Sequence, residues 1–215
     1  MYEEAIFDLE TQKFFDDISE SADGRGKFDA TILGASVVSI YKRTLDKDFK
    51  EISGSMISFW EDDLAGLWEI FKSVDRLIGF NSIKFDAAVL KPYADFDLTK
   101  LPHFDVLDHV RIANGKRVSL NSIAGETLGK AKVDDPKNAI IYWRKKDKES
   151  LDLLQRYCEE DVVLTKEIYD YGLKHKKLKF KDYWNTIREI DIDFSYTPDE
   201  IEKKQKPSEE QVSLF

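Results

Sequence analysis

Near the start of the chain, residues 5–11 read Ala-Ile-Phe-Asp-Leu-Glu-Thr, an alternation of apolar and polar positions that predicts a β-strand. Successive side chains of a strand point to opposite faces, so Asp8 and Glu10 share one face while Phe7 and Leu9 share the other. Residues 31–41 are β-branched and alternating, and 49–59 match them across the polar turn Leu45, Asp46, Lys47, Asp48. Three early strands on short connections predict an antiparallel meander. Residues 61–74 then place Leu64, Leu67, Trp68 and Phe71 at helical spacing, with acids in the first turn where the helix dipole favours them. A short buried strand follows at 77–80. Asn81 or Ser82 is the expected cap of a helix running through Phe85, Ala88 and Val89. Another short strand is expected at 102–106, a helix at 107–113, and a further helix from Ser119 to near Gly129. The longest helical pattern spans 149–175, with Leu151, Leu154, Val162, Ile168 and Tyr169 as its apolar stripe.

The order β-β-β-α-β-α-β-α-α predicts an α/β fold: a mixed central sheet with antiparallel first three strands and helices packed on it. Two segments stand outside this pattern. Residues 13–29 are acidic, contain Gly and lack periodicity, which reads as an excursion. From residue 197 the chain is charged, Pro-containing and poor in aliphatics, so a domain over 1–196 and a flexible acidic tail over 197–215 are expected.

Composition narrows the function classes. A chain of 215 residues, 42% hydrophobic, can bury one sizeable core. No apolar run approaches a membrane span and no signal-peptide pattern opens the chain, so a cytoplasmic protein without membrane contact is expected. The single Cys158 excludes an internal disulfide and a Cys-based zinc cluster. A net charge of −9 argues against a protein that coats nucleic acid unspecifically, yet allows one that grips a few nucleotides through bound cations. The basic residues are unevenly spread: one group runs from Arg111 through Lys116, Arg117, Lys130, Lys132, Arg144, Lys145 and Lys146, another over 174–181. Solvated helix faces account for most of them and a shallow substrate groove for the remainder.

The candidate chemistry is acidic. Two carboxylates side by side on a rigid strand repel and lose hydration unless a cation lies between them, and a divalent metal is the usual reason to build such a pair. Asp86 falls in the first turns of the helix after a buried strand, where it can face the strand carrying Asp8. A plain first-turn acid on an exposed helix is the alternative. Tyr157 and Asp161, four residues apart, share one face of the long helix with Leu154 and Val162. They form either a partly buried site or a tyrosine bonded within its own helix.

Taken together, Asp-x-Glu on a strand, Asn-x3-Phe-Asp at 81–86 and Tyr-Cys-x2-Asp at 157–161 resemble the DEDD superfamily of 3′→5′ exonucleases, in its tyrosine subgroup. The wording is most similar to the proofreading exonuclease domain of family B DNA polymerases, over roughly residues 2–172. The histidine subgroup would need His five residues before Asp161, where this chain has Arg156. The resemblance implies an RNase H-like fold with helices on both faces of the sheet, and a free-standing exonuclease, since no polymerase domain follows. It implies that Asp8, Glu10 and Asp161 hold one divalent ion, that Asp8 bridges to a second, and that Asp86 anchors the second largely through water. Oxygen ligands suit Mg²⁺ or Mn²⁺. Tyr157 would orient the attacking water, its phenol being too weak a base at neutral pH with a pKa near ~10. Leu9, Thr11, Asn81 and Phe85 are expected to shape the terminal-nucleotide pocket, with core packing an equal reading for Phe85.

The last residues, Gln211, Val212, Ser213, Leu214 and Phe215, resemble the peptide by which bacterial replication proteins dock on the sliding clamp. Leu214 and Phe215 would be the apolar anchors and Gln211 the polar one, on a flexible tether. The resulting expectation is an exonuclease on single-stranded DNA ends in replication or repair. The competing readings are an RNA-trimming exonuclease of the same fold and a non-catalytic nucleic-acid-binding module. A phosphatase of the haloacid dehalogenase type is disfavoured, because it normally has Asp where this chain has Glu10 and leaves Tyr157 and Asp161 unexplained.

Overall fold

The computed structural model of the chain describes residues 1–18, 29–130 and 136–205. Its centre is a five-stranded sheet in the order β3-β2-β1-β4-β5. Strands β1 (Tyr2–Thr11), β2 (Ala35–Leu45) and β3 (Glu51–Trp60) form the expected antiparallel meander. Strands β4 (Arg76–Gly79) and β5 (His103–Asp105) add in parallel beside β1, reached through crossover segments that include α1 (Ala65–Ser73) and α2 (Asp86–Leu90). Helices cover both faces of this mixed sheet, as expected.

Alternation along β1 sorts the core. Ala5, Phe7 and Leu9 point into a cluster with Leu67 and Phe71 of α1 and with Val89 and Leu90 of α2, the Phe7 and Phe71 rings lying 4.9 Å apart. Ile6 points the other way, toward Val162, Ile168 and Tyr169 of the long helix α6 (Lys148–His175). Asp147 caps α6 by accepting the Ser150 N–H, and Lys176 closes it at φ 56°. Between α2 and α6 lie α3 (Val106–Asn114), α4 (Leu120–Ile123), which continues as a π-helical turn over Ala124–Leu128, and α5 (Pro136–Lys145).

Several boundaries differ from the sequence pattern, each for a local reason. β2 starts at Ala35, because residues 30–32 form a 3-10 turn capped by Asp29 and Gly34 turns the chain at φ 70°. Neither Asn81 nor Ser82 caps α2: Asn81 is left-handed at φ 67°, and the helix begins only at Asp86. The N–H groups of Asn81 and Ile83 are instead taken by Asp105 of β5, a partner remote in sequence. Four elements escaped the pattern: α5, the strands β6 (Lys177–Lys181) and β7 (Ile187–Asp191) of an antiparallel hairpin, and α7 (Pro198–Gln205). Of the 13–29 excursion, 13–18 includes a 3-10 turn at Phe15–Asp17, and 19–28 lies outside the described residues.

Residues 198–205, expected to begin the flexible tail, form helix α7 against the domain. Buried Arg76 of β4 holds Glu200 through both carboxylate oxygens at 2.9 Å and also donates to the Phe194 and Ser195 carbonyls. Thr197 and Glu200 cap the helix reciprocally. The same charged core contains Glu4, fully buried on β1, which accepts from Arg43 Nε at 2.8 Å, Tyr169 at 3.0 Å and Tyr196 at 2.8 Å. A buried carboxylate with this many donors is compensated, whereas breaking such a set leaves an unpaired charge. Residues 206–215, with the Gln211, Leu214 and Phe215 expected to dock on a partner, lie outside the described residues. Among the described residues no helix is long and apolar enough to cross a membrane.

Candidate metal centre

The face of β1 that carries Ile6 toward α6 also carries Asp8 and Glu10, and α6 brings Asp161 to meet them. One oxygen from each of Asp8, Glu10 and Asp161 lies within 4.8 Å of the other two. Asp161 is buried, while Asp8 and Glu10 are half-buried, so the cluster opens to solvent on the strand side. The helix face that achieves this is Tyr157, Cys158, Asp161, Val162 and Thr165, all buried. Cys158 is the close-packing residue between helix and strand: its thiol donates to the Asp8 carbonyl at 3.4 Å. Burial, then the charges of Asp8 and Glu10, push the thiol well above its ordinary pKa, which leaves it neutral and inert. Tyr157 packs with Val37, Ala139 and Leu154 beside the cluster. Glu159, two residues on, is turned toward β3, where it accepts from Ser58 Oγ at 2.8 Å.

Asp86 is not one of the three clustered carboxylates, but neither is it an exposed first-turn acid. It is 3% exposed at the first position of α2, with the Leu9 N–H donating to it. This contact follows from topology. The parallel pairing of β1 with β4 ends at Ile6 and Ile78, so beyond it the β4 side of β1 is open, and the start of α2 fills the gap. Burial, with the nearby charge of Asp105 adding to it, pushes the Asp86 carboxyl up to about 7. Asp105 was missed by the motif reading. Its carboxylate, 2% exposed, collects the N–H groups of Asn81, Ile83, Leu107 and Asp108, fixing the turn before Asp86 and capping α3 together. An Asp directly before the apolar start of a helix is an N-cap signal, and that signal was available.

The remaining sequence-predicted residues surround this frame. Leu9 is buried on the opposite face of β1, in the core, and Thr11 is buried with its hydroxyl donating to the Lys13 carbonyl. Asn81 accepts from Arg117 at 3.0 Å. Phe85 is half-buried, with the Phe15 ring 6.3 Å away.

The donor set fits a divalent cation. Three carboxylates converging within 4.8 Å repel one another strongly in a partly desolvated site, and a bound cation reverses the sign of that interaction. All donors are hard carboxylate oxygens, a ligand type that divalent cations such as Mg²⁺ or Mn²⁺ accept.

Comparison with known proteins agrees with the fold. The family model described as the RNase_H superfamily matches residues 37–172, more than half of the chain and including Asp86, Tyr157 and Asp161. No curated protein matches significantly. Among solved structures, a similar one is the family B DNA polymerase from the hyperthermophilic archaeon Pyrobaculum calidifontis, with a TM-score of 0.56 and 18% identity. The match covers 80% of this chain and 25% of that chain, so this chain spans a quarter of the polymerase's length and the likeness is one of fold.

Proposed function

The chain belongs to the RNase H superfamily, and from that premise we propose that it is a nuclease: a metal-dependent 3′→5′ exonuclease acting on single-stranded DNA ends. The observation that carries the reading is the convergence of Asp8, Glu10 and Asp161 within 4.8 Å, on strand β1 and helix α6 of this fold. These three residues would hold one divalent ion, with Asp8 and Asp86 serving a second. Bound there, such ions supply an activated water and stabilise the leaving oxygen of a phosphodiester. The chain's own residues do the rest. Tyr157 is held by packing rather than by solvent and orients the attacking water through its hydroxyl. Asn81, held by Asp105 and Arg117, would grip the terminal nucleotide beside Phe85. Leu9 and Thr11 are buried and act by shaping the floor under the carboxylates.

Docking to a sliding clamp through Gln211, Leu214 and Phe215 is a further part of the proposal and rests on sequence, as does the preference for DNA over RNA. A time course on 5′-labelled DNA and RNA of equal sequence, with Mg²⁺, Mn²⁺ or EDTA, tests the reaction. A metal-dependent ladder shortening from the 3′ end is expected, faster on DNA, and unchanged on short strands when 211–215 are deleted. Internal cuts, or shortening from the 5′ end, would contradict the exonuclease reading.

A further inference from the structure

On the side of the site marked by Asn81, an open groove of about 840 Å³ runs between the α3–α4 loop and the β6–β7 hairpin. One wall carries Lys116 and Arg117; the other carries Lys181 and Arg188, and the hairpin tip presents Tyr183 and Trp184. Those two aromatic side chains are 95% and 73% exposed, the most solvent-exposed large rings of the described chain. Leaving a Tyr and a Trp in water costs burial that a fold normally takes, so an exposed aromatic pair in a basic groove marks a binding surface.

The tip is rigid. Asp182 accepts the N–H groups of Trp184 at 2.9 Å and Thr186 at 3.0 Å and also pairs with Arg188. The tip end of β6 is tied to α4 by reciprocal bonds between Ser122 Oγ and the Lys181 backbone at 2.9 and 3.1 Å. The backbone that carries the rings is therefore fixed before any ligand arrives, which lowers the ordering cost of binding. The charges are partly committed: two acids, Asp182 and Glu189, also line the groove, where Asp182 pairs with Arg188 and Glu189 with Lys177 and Lys179, while Lys181 pairs with Glu126. Lys116 and Arg117 make no ion pair with a carboxylate among the described residues, and Arg117 instead donates to Asn81. That hydrogen bond links the groove wall to Asn81, a residue of the proposed nucleotide site. In a chain of net charge −9, this is a local reversal of sign.

We propose that this groove binds a single nucleic-acid strand upstream of the nucleotide in the active site, with phosphates on Lys116 and Arg117 and bases stacked on Tyr183 and Trp184. The inference rests on the nuclease reading for the direction of the strand, while the groove's own chemistry of cations alternating with exposed rings carries the choice of ligand. DNA and RNA share that chemistry, so both are used in the test.

Full-length protein is titrated in EDTA with fluorescein-labelled DNA and RNA strands of increasing length, followed by anisotropy, and the same proteins are assayed for hydrolysis with Mg²⁺. The Tyr183→Ala/Trp184→Ala double variant alters exposed side chains only. It is expected to bind long strands roughly tenfold more weakly or worse, while strands too short to reach the hairpin are bound and cut as by the wild type. Trp184→Phe should keep most of the affinity, because the ring face remains. Lys116→Ala should reduce the slope of log K against log salt by about one. Equal affinity of the double variant and the wild type at every length would overturn the groove and leave the nuclease reading standing. A double variant weakened on long strands, in a protein that hydrolyses none of them, would support the groove and overturn the nuclease. A wild type that neither binds nor cuts any strand would overturn both.

Discussion

Asp86 is a carboxyl held where ionisation is costly. It is buried beside Asp105, its pKa pushed up to about 7 by burial and then by that neighbour. The ordinary carboxyl value is near ~4, so in the metal-free protein folding takes up a proton between pH ~4 and about 7. The native state binds more protons than the unfolded state in that window. This group's contribution to stability is therefore full below pH ~4, is lost as pH rises through about 7, and is flat above. Asp86→Asn cannot ionise and keeps an oxygen for the Leu9 N–H. Its melting temperature in EDTA should exceed the wild type's at pH 8 and converge with it toward pH 5. Each kcal/mol would appear as about 2–4 °C at this chain length. An equal gap at both pH values would contradict the burial argument. Stability given up at one acid is the usual mark of a position retained for function.

At the scale of elements, β1 and α6 do most of the positioning. β1 divides its side chains between a hydrophobic cluster on one face and Glu4, Ile6, Asp8 and Glu10 on the other. α6 closes the second face from Asp161 to Gly172. At Gly172 the ring of Phe194 lies directly on the helix backbone, leaving no room for a methyl group. Phe194 is fully buried and stacks on Tyr169 at 5.7 Å, so it has little freedom to yield. Gly172→Ala should destabilise by about 1–3 kcal/mol despite its better helix propensity, as read by chemical denaturation. A stabilised variant would show that the 192–196 segment can move off the helix. The elements legible in the sequence were the long two-sided ones, β1, β2, β3 and α6, together with α1, β4, β5, α3 and α4, whose short apolar runs and cap residues also mark them. The β6–β7 hairpin escaped because β7 is exposed on nearly every residue and shows no apolar alternation, although Lys177, Leu178, Lys179 and Phe180 of β6 do alternate. α5 is short and polar at both ends. The cap of α2 was misassigned because its loop is held by Asp105, more than twenty residues away in sequence, and local patterns do not report such a partner.

For the whole molecule, the sequence conveyed the sheet order's first half and three of the acids that meet in space, since a strand period and a helix period each place side chains on a known face. What it could not convey was the charged core behind the sheet, where Glu4, Arg43, Arg76, Tyr169 and Tyr196 come from five separate segments. That core moves the ordered domain past residue 196. Truncation after Gln205 should leave the melting temperature unchanged. Truncation after Tyr196 removes Glu200 from buried Arg76 and should cost about 1–3 kcal/mol. Equal melting of both truncations would mean that α7 contributes nothing to the fold. The central claim, a cation held by Asp8, Glu10 and Asp161, is tested most directly by calorimetric titration of Mn²⁺ into wild-type and Asp8→Ala protein, with hydrolysis measured on the same samples. Saturable binding by the wild type, with binding and hydrolysis lost together in a variant that melts as a folded protein, is the predicted result. Undiminished Mn²⁺ binding or hydrolysis in Asp8→Ala would contradict it.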